Sequence, residues 1–126
     1  MTYFLDNTFP PRFAEVLRVL GVDAHHLQED FPPDTKDENW IPIIGERGWI
    51  IVTGDNRIRT KQVNKIALKK ANIPAVFMYD GFTNETIWHQ ISRFTQIWPD
   101  IKRTCCQPGV CYNVGRKGKI TEITDW

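Results

Sequence analysis

The spacing of apolar residues changes period several times along the chain, and each change marks an element. Residues 2–5 are a short apolar run of strand length that ends at Asp6. From Pro10 and Pro11 the spacing lengthens: Phe13, Val16, Leu17 and Leu20 recur at i, i+3, i+4 and i+7, one face of a helix. The two prolines suit its first turn, where no N–H is needed, and Gly21 supplies a left-handed stop. Residues 23–27 predict a weaker strand, and Phe31-Pro32-Pro33-Asp34 a loop. Thr35-Lys36-Asp37-Glu38 fits a capping box, in which Glu38 reaches back to an orphan N–H. A proline deep inside a helix costs about 3 kcal/mol, so Pro42 puts the regular start of this helix near Asp37 or Asn39. Trp40, Ile43 and Ile44 form its inner face and Gly48 follows it.

Trp49-Ile50-Ile51-Val52-Thr53 and Ala75-Val76-Phe77-Met78-Tyr79 are continuous apolar runs, the signature of strands covered on both faces. Between them residues 60–71 predict a helix with Val63, Ile66 and Ala67 inward and lysines outward. Thr83 predicts the cap of a further helix that carries Ile87, Ile91, Phe94 and Trp98 and is closed by Pro99. The tail predicts a hairpin of residues 110–114 and 119–123 around Gly115-Arg116-Lys117-Gly118. Strands and helices taking turns in this way predict an α/β fold. Its mainly parallel sheet would carry helices on both faces and an antiparallel β-hairpin added at the C-terminus.

At 126 residues the chain has the size of one domain, with residues 1–101 as the main body and 102–126 as an extension packed on it. A hydrophobic fraction of 41%, with 5 Trp and 7 Phe, excludes intrinsic disorder. No apolar run approaches the roughly 18 residues of a membrane helix. The first residues show neither a basic n-region nor an apolar h-region, so the expectation is a cytoplasmic protein without a membrane partner. Cys105, Cys106 and Cys111 are odd in number and lack a fourth ligand at zinc spacing, which reads as reduced thiols.

A net charge of +1 gives no overall field for nucleic acid, but the charge is segregated. Arg57, Arg59, Lys61, Lys65, Lys69 and Lys70 follow one another with no acid among them. Residues 23–38 hold Asp23, Glu29, Asp30, Asp34, Asp37 and Glu38 against Lys36 as the one base.

In an open parallel sheet, ligands bind off the carboxyl ends of the strands, where the strand order reverses. The residues just after each strand are therefore the informative ones. Asp6 follows the first strand, with Asn7 beside it. Asp55 follows the third, in Thr53-Gly54-Asp55-Asn56, and Asp37 opens the helix leading into that strand. Carboxylates from separate segments that converge repel one another unless a cation joins them. Mg²⁺ or Mn²⁺ suits hard oxygen ligands, and such an ion supports phosphodiester hydrolysis. The basic run begins two residues after Asp55, where it would hold a phosphate backbone.

These residues also carry a resemblance. Phe4-Leu5-Asp6-Asn7 followed by Phe9-Pro10-Pro11 resembles the opening of compact PIN-like domains. Asp37-Glu38-Asn39-Trp40-Ile41-Pro42 is similar to their "D-E-x-W-I-P" helix start, and Val52-Thr53-Gly54-Asp55-Asn56-Arg57-Ile58 to their "V-x-[TS]-x-D-x-R-I" segment. Residues 94–101, with Trp98-Pro99, resemble their last helix.

The resemblance implies a PIN-like three-layer sandwich and a Mg²⁺-dependent (or Mn²⁺-dependent) endoribonuclease. Most often such a protein is the toxin of a VapC-like toxin–antitoxin pair, with RNA as substrate, a small antitoxin as partner and possible homodimerisation. It places metal-binding, catalytic acids at Asp6, Asp37 and Asp55, with Thr53, Asn7 and Glu38 in support. RNA phosphates would dock on Arg57, Arg59, Lys61 and Lys65. The chain departs from the family at Arg57, where many members carry a further Asp.

Two other readings remain beside this one. One is a PIN-like module that binds with weak or absent catalysis. The other is a receiver-type phospho-acceptor domain, which also has an Asp after its third strand but needs an acidic pair after its first, where Asn7 follows Asp6.

Overall fold

The computed structural model describes residues 1–126. Six strands form one sheet: β1 (Tyr3–Leu5), β2 (Ala24–His26), β3 (Ile50–Thr53), β4 (Ala75–Met78), β5 (Cys111–Val114) and β6 (Ile120–Ile123). Their order is β2-β1-β3-β4-β5-β6, parallel except for the antiparallel pairing of β5 with β6. The helices are α1 (Pro11–Val19), α2 (Leu27–Asp30), α3 (Asp37–Arg47), α4 (Arg57–Thr60), α5 (Gln62–Ala71) and α6 (Ile87–Thr104). None is long and apolar enough to cross a membrane.

Every residue of β1, β3 and β4 is buried, because successive side chains enter two different layers. Tyr3, Leu5, Ile50, Val52, Val76 and Met78 meet Phe13, Ala14 and Leu17 of α1 and Phe94, Ile97 and Ile101 of α6. On the opposite face Phe4, Ile51, Ala75 and Phe77 meet Trp40, Ile41 and Ile44 of α3 and Leu68 of α5. The result is a three-layer α/β sandwich, as the apolar runs and the resemblance both imply. From β1 the chain crosses to β2 on one side, and from β3 it crosses to β4 on the other. The segments leaving β1 and β3 therefore diverge, and a crevice opens between them.

Several local expectations are corrected. The helix expected over residues 60–71 is broken at Lys61, whose extended backbone (ψ 126°) separates α4 from α5. Its inward side chains are Asn64 and Leu68, while Val63 and Ile66 are 39% and 58% exposed. The contact with α3 accounts for this rotation: a Cβ on Gly45 would lie 2.7 Å from that of Ala71, so the helices cross too closely for any larger residue. Residues 64, 68 and 71 then share the buried face at helical spacing.

The last helix is capped by Thr86, not Thr83, and runs through Pro99 to Thr104. Phe94, Ile97 and Ile101 bury one stripe across the proline, and that packing outweighs the single lost ladder bond. No capping box forms at residues 35–38. The Thr35 hydroxyl donates to the Pro32 carbonyl instead, and Lys36 at the N-cap of α3 makes no side-chain cap. A capping box occurs at α2, where His26 Nδ1 accepts from the Gln28 N–H and Glu29 accepts from the His26 N–H. The tail hairpin is present, but β5 also pairs in parallel with β4, giving a parallel sheet of five strands.

Candidate active site

Of the acids that the sequence singles out, Asp6 and Asp55 lie at the carboxyl ends of β1 and β3, and Asp37 opens α3. Asp6 directly follows β1 and is 4% exposed. Its Oδ1 accepts from the Thr8 N–H (3.1 Å) and the Thr8 hydroxyl, and its Oδ2 accepts from the Thr53 hydroxyl. These donors are all neutral, and no cation pairs with it. Burial pushes the carboxyl up to about 6, against the pull of those hydrogen bonds, and the charge of Asp37 adds to the rise.

Thr53, at the end of β3, joins two of the acids. It donates to Asp6 and accepts from the Asp55 N–H at 2.9 Å. The Gly54 N–H donates to Thr8 Oγ1 at 2.9 Å, so the loops after β1 and β3 are sewn together at the floor of the crevice. Glycine is required there, since a Cβ on Gly54 would lie 2.6 Å from Thr83 Cγ2.

Asp37, the first residue of α3, is half-buried. Its oxygens accept from Trp40 Nε1 (3.1 Å) and from Asn64 Nδ2 (3.2 Å). Burial raises its carboxyl and Asp55 raises it further, while Trp40 and the charges of Arg57 and Lys61 act the other way. Asn64 is buried and also donates to the Arg57 carbonyl at 3.3 Å, so it holds Asp37 to α4. Sequence reasoning missed Asn64 because it counted that face of the helix as solvated. The available signal was an amide four residues before Leu68 in a run of lysines.

Asp55 differs from the other two. Its Oδ1 accepts from the Arg57 N–H (2.9 Å) and Nε (3.0 Å), and its Oδ2 from the other side of the guanidinium at 2.9 Å. Burial raises this carboxyl, but the Arg57 hydrogen bonds and charge outweigh that and hold it below its ordinary value.

Of the supporting residues, Asn7 is occupied elsewhere: it donates to the Pro33 carbonyl (2.7 Å) and accepts from Gln28 (3.1 Å), bracing the loop before α3. Glu38 makes no hydrogen bond of its own and lines a polar hollow of about 230 Å³ with Thr35, Lys36, Asp37, Lys61 and Asn64. Lys36, which the sequence reading set aside as a lone base in an acidic stretch, thus stands beside Lys61 at the acid edge. Arg57 is exposed. Arg59 is drawn inward, 5.4 Å from the Phe77 ring centroid, with one terminal nitrogen bonded to Asn56 Oδ1 and its buried Nε without a partner. Lys65 lies one turn beyond Lys61 on α5 and does not line the hollow. Asp80, after β4, accepts from Asn56 at 3.3 Å.

All three acids offer hard oxygen donors, and Asp6 and Asp37 have only neutral partners. That donor chemistry fits Mg²⁺ or Mn²⁺. The expected convergence on one point is not formed, however: no three His, Cys, Asp or Glu side chains stand close enough to hold an ion, and both oxygens of Asp55 face Arg57.

A family model described as "PIN like domain" matches residues 1–80. No curated protein and no solved structure matches significantly. The PIN-like fold is a nuclease-type fold, and its members are generally nucleases that typically use divalent metals. With the match covering more than half of its length, and acids at the carboxyl ends of β1 and β3 of a three-layer sandwich, this chain belongs to the PIN-like domain family.

Proposed function

We propose that this chain is a divalent-metal-dependent endoribonuclease whose site is the crevice between β1 and β3. The observation that carries the reading is a pair of carboxylates, buried Asp6 and half-buried Asp37, whose hydrogen-bond donors are all neutral and whose pKa values burial raises, with the charge of Asp37 adding to the rise at Asp6 and that of Asp55 to the rise at Asp37. Protein folds do not ordinarily keep such a pair uncompensated, and a cation would relieve it. Asp6, Asp37 and Asp55 would hold Mg²⁺ or Mn²⁺. When bound, such an ion acidifies a water and neutralises charge growing on a phosphate.

The chain's own residues have distinct tasks in this reading. Thr8 and Thr53 lock both oxygens of Asp6, and Asn64 and Trp40 fix the rotamer of Asp37. Lys36 and Lys61 flank the hollow beside Asp37 and would hold an RNA phosphate there, with Arg57 as a third contact. The test is cleavage of single-stranded RNA by the purified chain with Mn²⁺, with EDTA, and after Asp6→Asn. Cleavage that survives both EDTA and Asp6→Asn refutes the reading.

The bidentate Arg57–Asp55 pair favours a second reading, a PIN-like module that binds RNA with little or no catalysis. In that case the same assay gives RNA retention without cleavage at any Mn²⁺ concentration. The toxin role and its small antitoxin partner rest on the resemblance alone. Growth arrest on expression, relieved by co-expression of a neighbouring small protein that co-purifies with this chain, would support them.

A further inference from the structure

The Asp55–Arg57 pair is unlike every other contact of the crevice. Arg57 grips both carboxylate oxygens, through Nε at 3.0 and 3.2 Å and through the terminal nitrogen at 2.9 Å, while its own N–H donates to Oδ1. Its guanidinium makes no hydrogen bond to any other residue and stacks on no ring. The two halves of the pair differ in exposure, with side chains 78% exposed for Arg57 and 17% for Asp55. The cation is thus laid over the acid from the solvent side, where it can swing away without disturbing the core. Asp6 and Asp37, by contrast, accept hydrogen bonds from neutral donors alone.

We infer that Arg57 is a resident counter-ion of Asp55 which a divalent cation must displace, and that the phosphates of a single-stranded nucleic acid take up the displaced guanidinium. This rests on the metal-dependent reading above and adds a coupling to it. A guanidinium released from one carboxylate presents the same planar fork to a phosphate. Lys36 and Lys61, across the hollow beside Asp37, supply further positive charge for the same strand. Because the strand and the carboxylate compete for one arginine, strand binding frees Asp55 and cation binding frees Arg57. Each ligand therefore raises the affinity of the other by the same factor. A crevice of this kind binds a divalent ion more weakly until a phosphate backbone is present.

The experiment is calorimetric titration of Mn²⁺ into the full-length chain, wild type and Arg57→Gln, with and without a single-stranded oligodeoxynucleotide lacking the 2′-hydroxyl. The inference expects Arg57→Gln alone to bind Mn²⁺ about fivefold or more tightly than wild type. It also expects the oligonucleotide to tighten wild type by a similar factor and Arg57→Gln by less than about twofold. Arg57→Lys keeps the charge without the fork and should fall between the two. It serves as the independent variant if the glutamine protein does not fold by circular dichroism. Equal Mn²⁺ affinities for wild type and the variants, or equal tightening of all by the oligonucleotide, overturns the role of Arg57 and leaves the metal site standing. Absence of Mn²⁺ binding in every protein, with and without the strand, overturns the metal reading and the inference with it.

Discussion

Replacing Asp6 by asparagine should stabilise the metal-free protein, and the gain should depend on pH. Asp6 is 4% exposed, its donors are neutral, and burial lifts its carboxyl from 3.8 to about 6. A carboxyl raised in the folded state binds its proton more tightly there than in the unfolded chain. Its contribution is therefore most favourable at low pH, declines as the pH climbs from about 4 to about 6, and stays at its worst above that. At about 1.4 kcal/mol per pH unit, the gap makes the ionised form cost about 3 kcal/mol at pH 8. Asparagine keeps the shape and removes the charge, but its amide cannot accept from both Thr8 and Thr53, which returns about 1–2 kcal/mol. The net gain is about 1–2 kcal/mol, or about 4–8 °C in Tm for a chain of this size. Thermal melts in EDTA from pH 4 to 8 measure it directly. Asp6→Asn should melt above wild type at pH 8, and the difference should shrink steadily toward pH 4. Saturating Mn²⁺ should raise the wild type past the variant. A difference that does not change with pH, or a variant less stable throughout, would mean that Asp6 is not an uncompensated charge.

Three further outcomes follow from the same contacts. Thr53→Val removes the hydroxyl that links Asp6 Oδ2 to the Asp55 N–H. It should lower stability by about 1–3 kcal/mol in urea unfolding while the far-UV spectrum is unchanged. Gly54→Ala places a Cβ 2.6 Å from Thr83 Cγ2; overpacking there should cost about 1–3 kcal/mol, read as a lower Tm. Lys36→Ala and Lys61→Ala should each weaken single-strand binding and flatten its salt dependence by about 0.7 in the log–log slope, whereas Lys65→Ala should leave the slope nearly as it was.

The sandwich was legible because fully buried strands write continuous apolar runs and their covering helices write a longer period. Both signals survive in Ile50–Thr53 and Ala75–Met78. The errors fall where long-range packing overrides a local rule. Pro99 reads as a stop on propensity, yet the stripe from Phe94 to Ile101 continues past it into the core. The inner face of α5 was misassigned because its rotation is set by the contact of Gly45 with Ala71 on another helix. Nothing in residues 60–71 taken alone records that contact. The parallel pairing of β5 with β4 was hidden for the same reason: a strand that begins a hairpin looks alike whether or not a second partner waits on its other edge.

The places of the acids in the fold were legible, since Asp6 and Asp55 lie within two residues of the ends of β1 and β3 and Asp37 opens α3. Their partners were not, and the partners decide what the crevice does. Spacing alone treats Arg57 as the first of a row of phosphate-binding cations, equivalent to Arg59 and Lys65. In the fold the three have different fates: Arg57 covers Asp55, Arg59 lies by the Phe77 ring, and Lys65 stands away from the hollow. Lys36, the one base of an acidic stretch, stands beside Asp37 as the N-cap of α3. A basic run therefore specifies how much positive charge an edge can present. Which cations are free to meet a ligand depends on the neighbouring acids and rings, and in this crevice the arginine nearest the acids is the one already engaged.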